Sequence, residues 1–169
     1  MLESGGLISG KFWLVAHTKP RCEKKLKLWC DSKSIINSLP TYPSAHKYRG
    51  KEVTFHKPLF PGYLFISTYV SERQKILSSN YVANLLEPPD QEEFAAQLSD
   101  IQLAVETMDN IRVVPNINAG TKVLIQRGPL AGLEAWVEGR DGPREVFLRL
   151  DFIGQAAAVS VAVEDLELV

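Results

Sequence analysis

The side chains best suited to nucleophilic or acid–base chemistry are three histidines and two cysteines: His17, His46, His56, Cys22 and Cys30. A cysteine nucleophile needs a base within hydrogen-bond reach, and a metal site needs ligands at recognisable spacings. None of these residues stands at a metal-ligand spacing, and no phosphate-binding loop, paired acidic motif or serine elbow accompanies them. The sequence therefore predicts a protein that is not an enzyme and that binds no cofactor.

The two cysteines also indicate the redox environment. Cys22 and Cys30 lie in one predicted helix, and a separation of eight residues at about 1.5 Å per residue places them roughly 12 Å apart. That is beyond the reach of a disulfide, so we expect two reduced thiols. The sequence shows no signal peptide and no apolar run of about 18 residues. These features predict a cytoplasmic protein, and we also expect it to be a monomer.

Charge is distributed unevenly along a chain that is nearly neutral overall. The net charge is −1, with 23% charged and 45% hydrophobic residues, as in ordinary soluble proteins. Residues 1–75 contain 13 lysines and arginines against 5 aspartates and glutamates, a net charge of +8, whereas residues 76–112 have a net charge of −6. A basic half within a neutral protein predicts a polyanionic partner at one face only.

The basic residues form two groups. The first lies at the first turns of a predicted helix that Thr18 caps, and the second crowds the tip of a predicted hairpin beside Tyr48. Phosphate contacts need cations on one surface, and an adjacent aromatic ring can stack on a base. The alternative is an ordinary solvated charged face. The candidate nucleic-acid-binding residues are Lys19, Arg21, Lys24, Lys25, Lys47, Arg49 and Lys51.

An aromatic strand lies in the run KPLFPGYLFI, residues 57–66. The two prolines mark a strand entry, Gly62 permits a bend, and the side chains that follow alternate between two faces. Leu64 and Ile66 share one face, while Tyr63 and Phe65 share the other. This aromatic face is either ordinary core or an exposed apolar platform that receives another protein. The candidate platform residues are Phe60, Tyr63 and Phe65.

The surrounding patterns predict an α+β domain, with an antiparallel sheet and helices in the order βαβββαβα, ending near residue 110. Its predicted strands cover residues 12–17, 39–48, 51–57, 63–70 and 81–86. The last helix is the clearest, because apolar residues recur at helical spacing from Phe94 to Met108. Five short β-rich runs follow in residues 121–126, 133–138, 145–151, 156–163 and 166–168, separated by glycine and proline. Such a pattern predicts a small all-β barrel.

Together these motifs resemble the NusG family of transcription factors. FWLV at residues 12–15, TKPRCEKK at 18–25 and PLFPGYLFI are similar to its N-terminal (NGN) domain. GTKV at residues 120–123 and RGPLAGLEAWV at 127–137 are similar to its C-terminal KOW module, an SH3-like barrel. The resemblance divides the chain into a tail (1–10), an NGN-like domain (11–110), a linker (111–119) and a KOW domain (120–169).

The resemblance also implies partners. Phe60, Tyr63 and Phe65 would bind the clamp helices of the RNA polymerase β′ subunit, and the basic residues would contact upstream or non-template DNA. Phe152 and Ile153 would bind the partner of the KOW domain, Rho or a small-subunit ribosomal protein, although the arginine that general factors carry beside them is missing. The basic string at residues 19–25 and the form PLFPGYLF resemble those of the specialised paralogues, which are RfaH and the regulators of polysaccharide clusters.

Two alternatives remain open. The chain could be a general elongation factor of the same family, or a ribosome- or RNA-binding KOW protein unrelated to transcription. In either case the glycines and prolines of the C-terminal part, from about residue 118 to 169, would interrupt long helices, at costs of about 1 and 3 kcal/mol per residue. We therefore expect a constitutive β-barrel instead of a fold switch, and an aromatic platform that is open in the free protein.

Overall fold

The computed structural model describes residues 10–108, 111–115, 120–137 and 145–169. The chain forms two compact units, Met1–Ala95 and Ala96–Val169, which divide within a long helix. Both units contain antiparallel sheets, and helices are few. This agrees with the predicted α+β domain followed by a β-rich C-terminal part.

The first unit follows the predicted order of elements, with one additional strand. The strand Ile36–Ser38 was not predicted, because its three residues are too short to show an alternating pattern. The elements are β1 (Phe12–Thr18), α1 (Glu23–Ser32), β2 (Ile36–Ser38), β3 (Thr41–Tyr48), β4 (Lys51–Pro58), β5 (Tyr63–Thr68), a 3₁₀ turn (Val70–Glu72), α2 (Arg73–Leu77), β6 (Val82–Leu86) and α3 (Gln91–Thr107).

Four of these strands form the central antiparallel sheet, in the order β2-β5-β1-β6. Ala16 pairs with Leu64 and Leu14 with Ile66, so these aliphatic residues share one face. They form a buried cluster with residues from α1 and α2, such as Leu26 and Ile76. The strands β3 and β4 form a separate two-stranded sheet.

Helix α1 begins later than predicted. Thr18 belongs to β1, where its N–H donates to the carbonyl of Gly62 at 2.8 Å, and the helix starts at Glu23. The N-cap residue, Cys22, makes no side-chain capping bond. Lys19 and Arg21 therefore lie in the connection between β1 and α1, not in the helix. Both cysteines are free thiols, and Cys30 is buried while Cys22 is half-buried.

The second unit contains the C-terminal part of α3 and a six-stranded antiparallel sheet in the order β12-β8-β9-β10-β11-β7. Five of its strands lie where the sequence predicts them, to within a few residues. The strands are β7 (Arg112–Pro115), β8 (Thr121–Ile125), β9 (Glu134–Val137), β10 (Glu145–Leu150), β11 (Gln155–Ser160) and β12 (Leu166–Leu168).

Strand β7 corrects the predicted linker at 111–119. Arg112–Pro115 pair with β11 over four residues, and Ile111 is buried. Two valines at the centre of this segment favour a strand, and a neighbouring strand was available to complete it. Residues 116–119 of the predicted linker, and most of the predicted tail at 1–10, lie outside the described residues.

A second cluster lies on one face of this sheet. Phe147, Ala156 and Ala158 are buried there, and Val114 and Trp136 pack against them. The guanidinium of Arg149 stands 3.7 Å from the centre of the Trp136 ring, a cation–π contact. No helix in the described parts of the chain is long and apolar enough to cross a membrane.

Candidate functional site

The turn Phe60-Pro61-Gly62-Tyr63 leads into the aromatic strand. The N–H of Tyr63 donates to the carbonyl of Phe60 at 3.2 Å, and Gly62 has a φ of +88°. A proline followed by a residue at positive φ is the arrangement of a type II turn, which favours glycine at that position. The Gly62 N–H also donates to Oε2 of Glu23 at 3.3 Å. The sequence therefore fixes where Tyr63 enters the sheet, as the proline–glycine pattern predicts.

The aromatic residues around this turn form a chain of ring contacts. Phe60 meets Phe65 edge-on at a centroid distance of 6.1 Å, and Phe65 meets Phe94 of α3 at 5.7 Å. Phe94 in turn lies 6.1 Å from Trp13. Gln91, at the start of α3, exchanges hydrogen bonds with the backbone of Trp13. The first turns of α3 thus cover this part of the aromatic face.

The prediction of an exposed platform is therefore wrong for two of its three residues. Phe60 is 1% exposed and Phe65 is fully buried. The physical reason is that the apolar side chains of α3 must also be buried. Phe94 packs on the aromatic face of the sheet, against Phe65 and Trp13. Tyr63 differs, since it is half-buried and stacks on exposed His17 at 5.3 Å with an interplanar angle of 24°. That pair is the accessible end of the aromatic face.

The β3–β4 ribbon forms a second surface, with its rings on one side. Directly paired residues share a face, so the register of the ribbon places Tyr42, His46, Tyr48, Val53 and Phe55 on the same side. Tyr48 is 66%, Phe55 is 51% and Val53 is 37% exposed. His46 and Phe55 are in ring contact at 5.9 Å. Large apolar side chains on one open face mark an interaction site more often than scattered ones do.

Cations flank this aromatic face at both ends. Lys51 pairs with Tyr48, and Lys57 pairs with Tyr42, so both lysines lie on the face of the rings. The guanidinium of Arg49 lies 5.7 Å from the Tyr48 ring. Lys47 pairs with Glu52 on the opposite face. The aromatic face of the ribbon therefore holds only positive charge.

The ribbon is joined by a two-residue turn. Arg49 has a φ of +50° and Gly50 a φ of +79°, the signs that a type I′ hairpin turn requires. Because this turn fixes the register, Lys47, Arg49 and Lys51 all lie at the end of the ribbon, as predicted, with Lys47 on the face opposite to Lys51. Lys19, Arg21, Lys24 and Lys25 are all exposed around the start of α1. Among the described residues, no hydrogen bond or ion pair connects these two basic groups.

The residues with catalytic potential are not brought together. His46 bonds with Ser44 at 3.0 Å, and Cys30 is buried away from solvent. Burial raises the pKa of the Cys30 thiol to about 12, with smaller effects from Asp31 and Lys27. A thiol of that pKa is a poor nucleophile, because the thiolate is the reactive form. The described residues hold no group of three potential metal ligands.

Comparison with protein families provides the deciding observation. The family model described as "NusG: Transcription termination factor nusG" matches residues 11–112, which is more than half of the chain. The chain belongs to the NusG family. Its members are non-enzymatic transcription factors, and this chain is therefore a transcription factor of that general kind.

No curated protein matches this NusG-family chain. Among solved structures, it is similar to a chain from the crystal structure of the MjSpt4:Spt5 complex in conformation B, with 17% identity over 93% of this chain and 96% of that one. The TM-score is 0.29, and at that value the likeness carries no structural argument.

The C-terminal candidate residues of this NusG-family protein lie in a single turn. Phe152 and Ile153 are half-buried within the 3₁₀ turn Asp151–Ile153, which follows β10. Gly154 ends the turn with a φ of +66°. Gln97 fixes Asp151 by donating to its carboxylate at 2.7 Å and accepting its N–H at 3.0 Å. The turn is thus well defined, and its role as a binding site stays a prediction.

The residues that contact the predicted ones are evident only from the structure. His17, Trp13 and Phe94 complete the aromatic face, and Phe55 completes the ribbon. The signal for Phe55 was present, because a two-residue turn at Arg49-Gly50 fixes which residues face one another. The contact of Phe94 with Phe65 carried no such signal, since helical periodicity does not specify which face of a sheet a helix covers.

Proposed function

We propose that this NusG-family protein is an elongation and antitermination factor that stays bound to RNA polymerase during transcription and contacts DNA through its β3–β4 ribbon. The observation that carries the proposal is the distribution of side chains on the ribbon. One face has exposed aromatic rings, and its only charges are positive. A ribbon that served only the fold would bury such rings. A cationic and aromatic surface instead suits a strand of nucleic acid.

For the polymerase contact, the proposal assigns Tyr63 the direct role. The family resemblance implies that this aromatic face binds the β′ clamp helices. Tyr63 and His17 form its accessible end, while Phe60 and Phe65 support Tyr63 from within the core. Aromatic residues that are partly exposed and rigidly held make effective anchors in protein interfaces.

For the DNA contact, the proposal assigns phosphate binding to Lys47, Arg49 and Lys51, and a secondary role to Lys19, Arg21, Lys24 and Lys25. Lysine and arginine contacts to phosphate set affinity and not sequence preference, which comes from base edges. Exposed Tyr48 and Phe55 can stack on bases of an unpaired non-template strand, whichever bases these are.

Bound in this way, the protein needs no chemistry to act. By contacting both the polymerase clamp and the DNA, it would stabilise the closed, elongating state relative to the open, paused state. The size of that shift equals the difference between its affinities for the two states.

For the C-terminal part, we propose an SH3-like KOW barrel that recruits a second factor through Phe152 and Ile153. Two sequence features favour a specialised paralogue over a general factor. One is the missing arginine beside Phe152 and Ile153, and the other is the form of the motifs at residues 19–25 and 58–65. A general factor of the family is the second candidate, and a ribosome- or RNA-binding KOW protein is the third.

Two measurements test the proposal. A reconstituted elongation complex should retain the wild-type protein and transcribe with fewer pauses, and it should lose this response when Tyr63 is replaced by alanine. Chromatin immunoprecipitation then separates the candidates, because a specialised factor occupies few operons and a general factor occupies nearly all genes. Recovery of ribosomes without polymerase would contradict the proposal.

A further inference from the structure

The aromatic rings of the β3–β4 ribbon follow one another at a regular spacing along one face. Four successive residue pairs on that face each contain a single ring, and they are Tyr42–Lys57, Ser44–Phe55, His46–Val53 and Tyr48–Lys51. Neighbouring pairs on a face are two residues apart along each strand, so the rings repeat at roughly 6.6 Å. We call this series the ring ladder, and its members are Tyr42, Phe55, His46 and Tyr48.

The opposite face of the same ribbon, which the structure describes in full, lacks this series. Its residue pairs are Thr41–Pro58, Pro43–His56, Ala45–Thr54 and Lys47–Glu52. They provide one ring and one carboxylate, so this face has neither the repeat of rings nor a purely positive charge. Most residues on both faces are exposed. Packing against the core therefore does not explain why the rings lie on one face only.

The spacing of the ring ladder indicates which form of nucleic acid fits it. Bases of one strand in duplex DNA lie about 3.4 Å apart, roughly half the repeat of the ladder, and neighbouring bases cover their faces. The bases of an unpaired strand can separate and stack on protein rings instead. One nucleotide per ring then requires an unpaired strand that is extended to about twice its rise in the duplex.

The middle of the ladder is held by contacts within the ribbon. The rings of His46 and Phe55 are in contact at 5.9 Å, and Nε2 of His46 lies 3.0 Å from Oγ of Ser44. A base inserted between two rings needs about 3.4 Å on each side, as in a base stack, so none fits between these two. Each ring is therefore left with its outward face for stacking.

Positive charge lies at both ends of the ladder. Lys57 belongs to the first residue pair and Lys51 to the last, so they are roughly 20 Å apart along the ribbon. Arg49 adds a guanidinium beside the Tyr48 ring. Cations at the two ends, with rings between them, match a short stretch of strand whose phosphates continue past both ends.

We infer that the ring ladder binds four consecutive nucleotides of an unpaired DNA strand, with one base stacked on each ring. The inference rests on the proposed DNA contact of the ribbon, and it adds the form of the strand, its length and the full set of rings. It gives Tyr42 and His46 a part in binding beside Tyr48 and Phe55.

The first measurement varies the length of the strand. The full-length protein is titrated with fluorescein-labelled oligothymidines of two to twelve nucleotides, at one low salt concentration. Affinity should rise about tenfold with each added nucleotide up to four, because each base gains a ring, and by less than twofold per nucleotide beyond that. A duplex of twelve base pairs should bind at least tenfold more weakly than the unpaired twelve-mer.

Matched variants then separate the ring ladder from the opposite face. Phe55→Leu keeps an apolar side chain but removes the stacking surface, so it should weaken binding of the unpaired twelve-mer about tenfold, and Phe55→Trp should preserve it. His56→Leu removes the ring of the opposite face and should leave the affinity unchanged. Both positions are exposed, and circular dichroism with thermal melting checks that the variants stay folded.

Four results would overturn the inference. They are a steady rise of affinity past four nucleotides, equal binding of duplex and unpaired strand, equal effects of Phe55→Leu and His56→Leu, and no measurable binding of the twelve-mer. A preference of more than tenfold for oligouridine over oligothymidine would assign the ladder to RNA and overturn the assignment to DNA.

A parallel titration of the elongation complex tests the proposed function separately. If Arg49→Glu/Lys51→Glu loses engagement and Phe55→Leu does not, the ribbon contacts DNA by phosphates alone, and only the ring ladder is wrong. If neither variant changes engagement, the proposed DNA contact fails as well.

Discussion

Phe94 meets Phe65 edge-on, with ring centroids 5.7 Å apart. The contact joins the first turns of α3 to the middle of the aromatic face, so Phe65 is a core residue. The accessible part of that face is reduced to the end where Tyr63 stacks on His17. Two aromatic residues on one face of β5 thus differ in exposure, since Phe65 lies in the core and Tyr63 stays accessible.

This difference in exposure gives the first prediction. Tyr63→Ala should weaken binding to the isolated clamp helices by about 2 kcal/mol, roughly 30-fold, because a partly exposed anchor is removed. Phe65→Ala should instead lower the free energy of unfolding by about 3–5 kcal/mol, because it empties a closed core site. Binding titrations and thermal unfolding of both variants separate the two effects. Tyr69→Ala, at an exposed tyrosine just beyond the end of β5, is the control. A folded Tyr63 variant with unchanged affinity would remove the binding role.

The second prediction concerns the tip of the ribbon. Replacing Arg49 and Lys51 with glutamate should weaken engagement of a DNA-bound elongation complex, most strongly at low salt, because phosphate contacts act by releasing counterions. The slope of log affinity against log salt should become shallower by about 0.7–0.9 for each lost contact. Binding to the isolated clamp helices should persist, and Lys33→Glu, at an exposed residue after α1, serves as the control. Equal loss of both interactions would mean that the tip contacts protein.

A third prediction compares two glycines at positive φ. Gly62→Ala should lower the free energy of unfolding by about 1–2 kcal/mol, because the backbone conformation is strained for any residue with a Cβ. Space is not the limit, since a Cβ there would meet the His17 ring at an ordinary 3.6 Å. Gly50→Ala carries similar strain at φ +79°, but its turn is exposed and can rearrange locally to relieve the strain without disturbing the core. It should alter DNA engagement more than the melting temperature. Equal melting temperatures of the Gly62 variant and the wild type would contradict this account.

A fourth prediction follows from Asp100 in α3. Burial raises the pKa of this carboxyl to about 6, from an ordinary value of 3.8. The folded state then binds the proton more tightly than the unfolded state, so Asp100 lowers stability as the pH rises between about 4 and 6. Asp100→Asn should stabilise the protein at pH 7, by about 1 kcal/mol once solvent screening is allowed for. Denaturant unfolding at pH 7 and pH 3.5 measures this, and the advantage should disappear at the lower pH. A constant difference would assign the effect to packing.

Much of the fold could be predicted because local patterns were strong. The alternation of Tyr63, Leu64, Phe65 and Ile66 correctly assigned the two faces of β5, and glycine and proline located most strands of the second unit. The start of α1 was predicted too early because Thr18 is a residue type that often caps helices. In the structure its N–H donates to the carbonyl of Gly62, and Thr18 is the last residue of β1. Such a tertiary hydrogen bond leaves no trace in local sequence.

The candidate sites were less predictable than the strands. Whether Phe65 is core or surface depends on which face α3 covers, and that depends on the whole domain. Strand β7 was assigned to a linker for a similar reason. Four residues form a strand only where the edge of another strand is available for pairing, and the local sequence does not show this. The hairpin turn at Arg49-Gly50 was located correctly, since local geometry alone specifies a two-residue turn, and the binding role of the lysines near it stays a prediction.

The length of the β3–β4 ribbon has a consequence of its own. Eight residues in each strand, at about 3.3 Å per residue, give it a reach of roughly 25 Å. Its outer half is exposed on both sides, so residues such as Tyr48 and Lys51 can change without disturbing the core. Substitutions in the outer half of the ribbon are therefore compatible with an unchanged core. If the ribbon binds nucleic acid as proposed, its preference can change by substitutions at the tip while the central sheet stays the same.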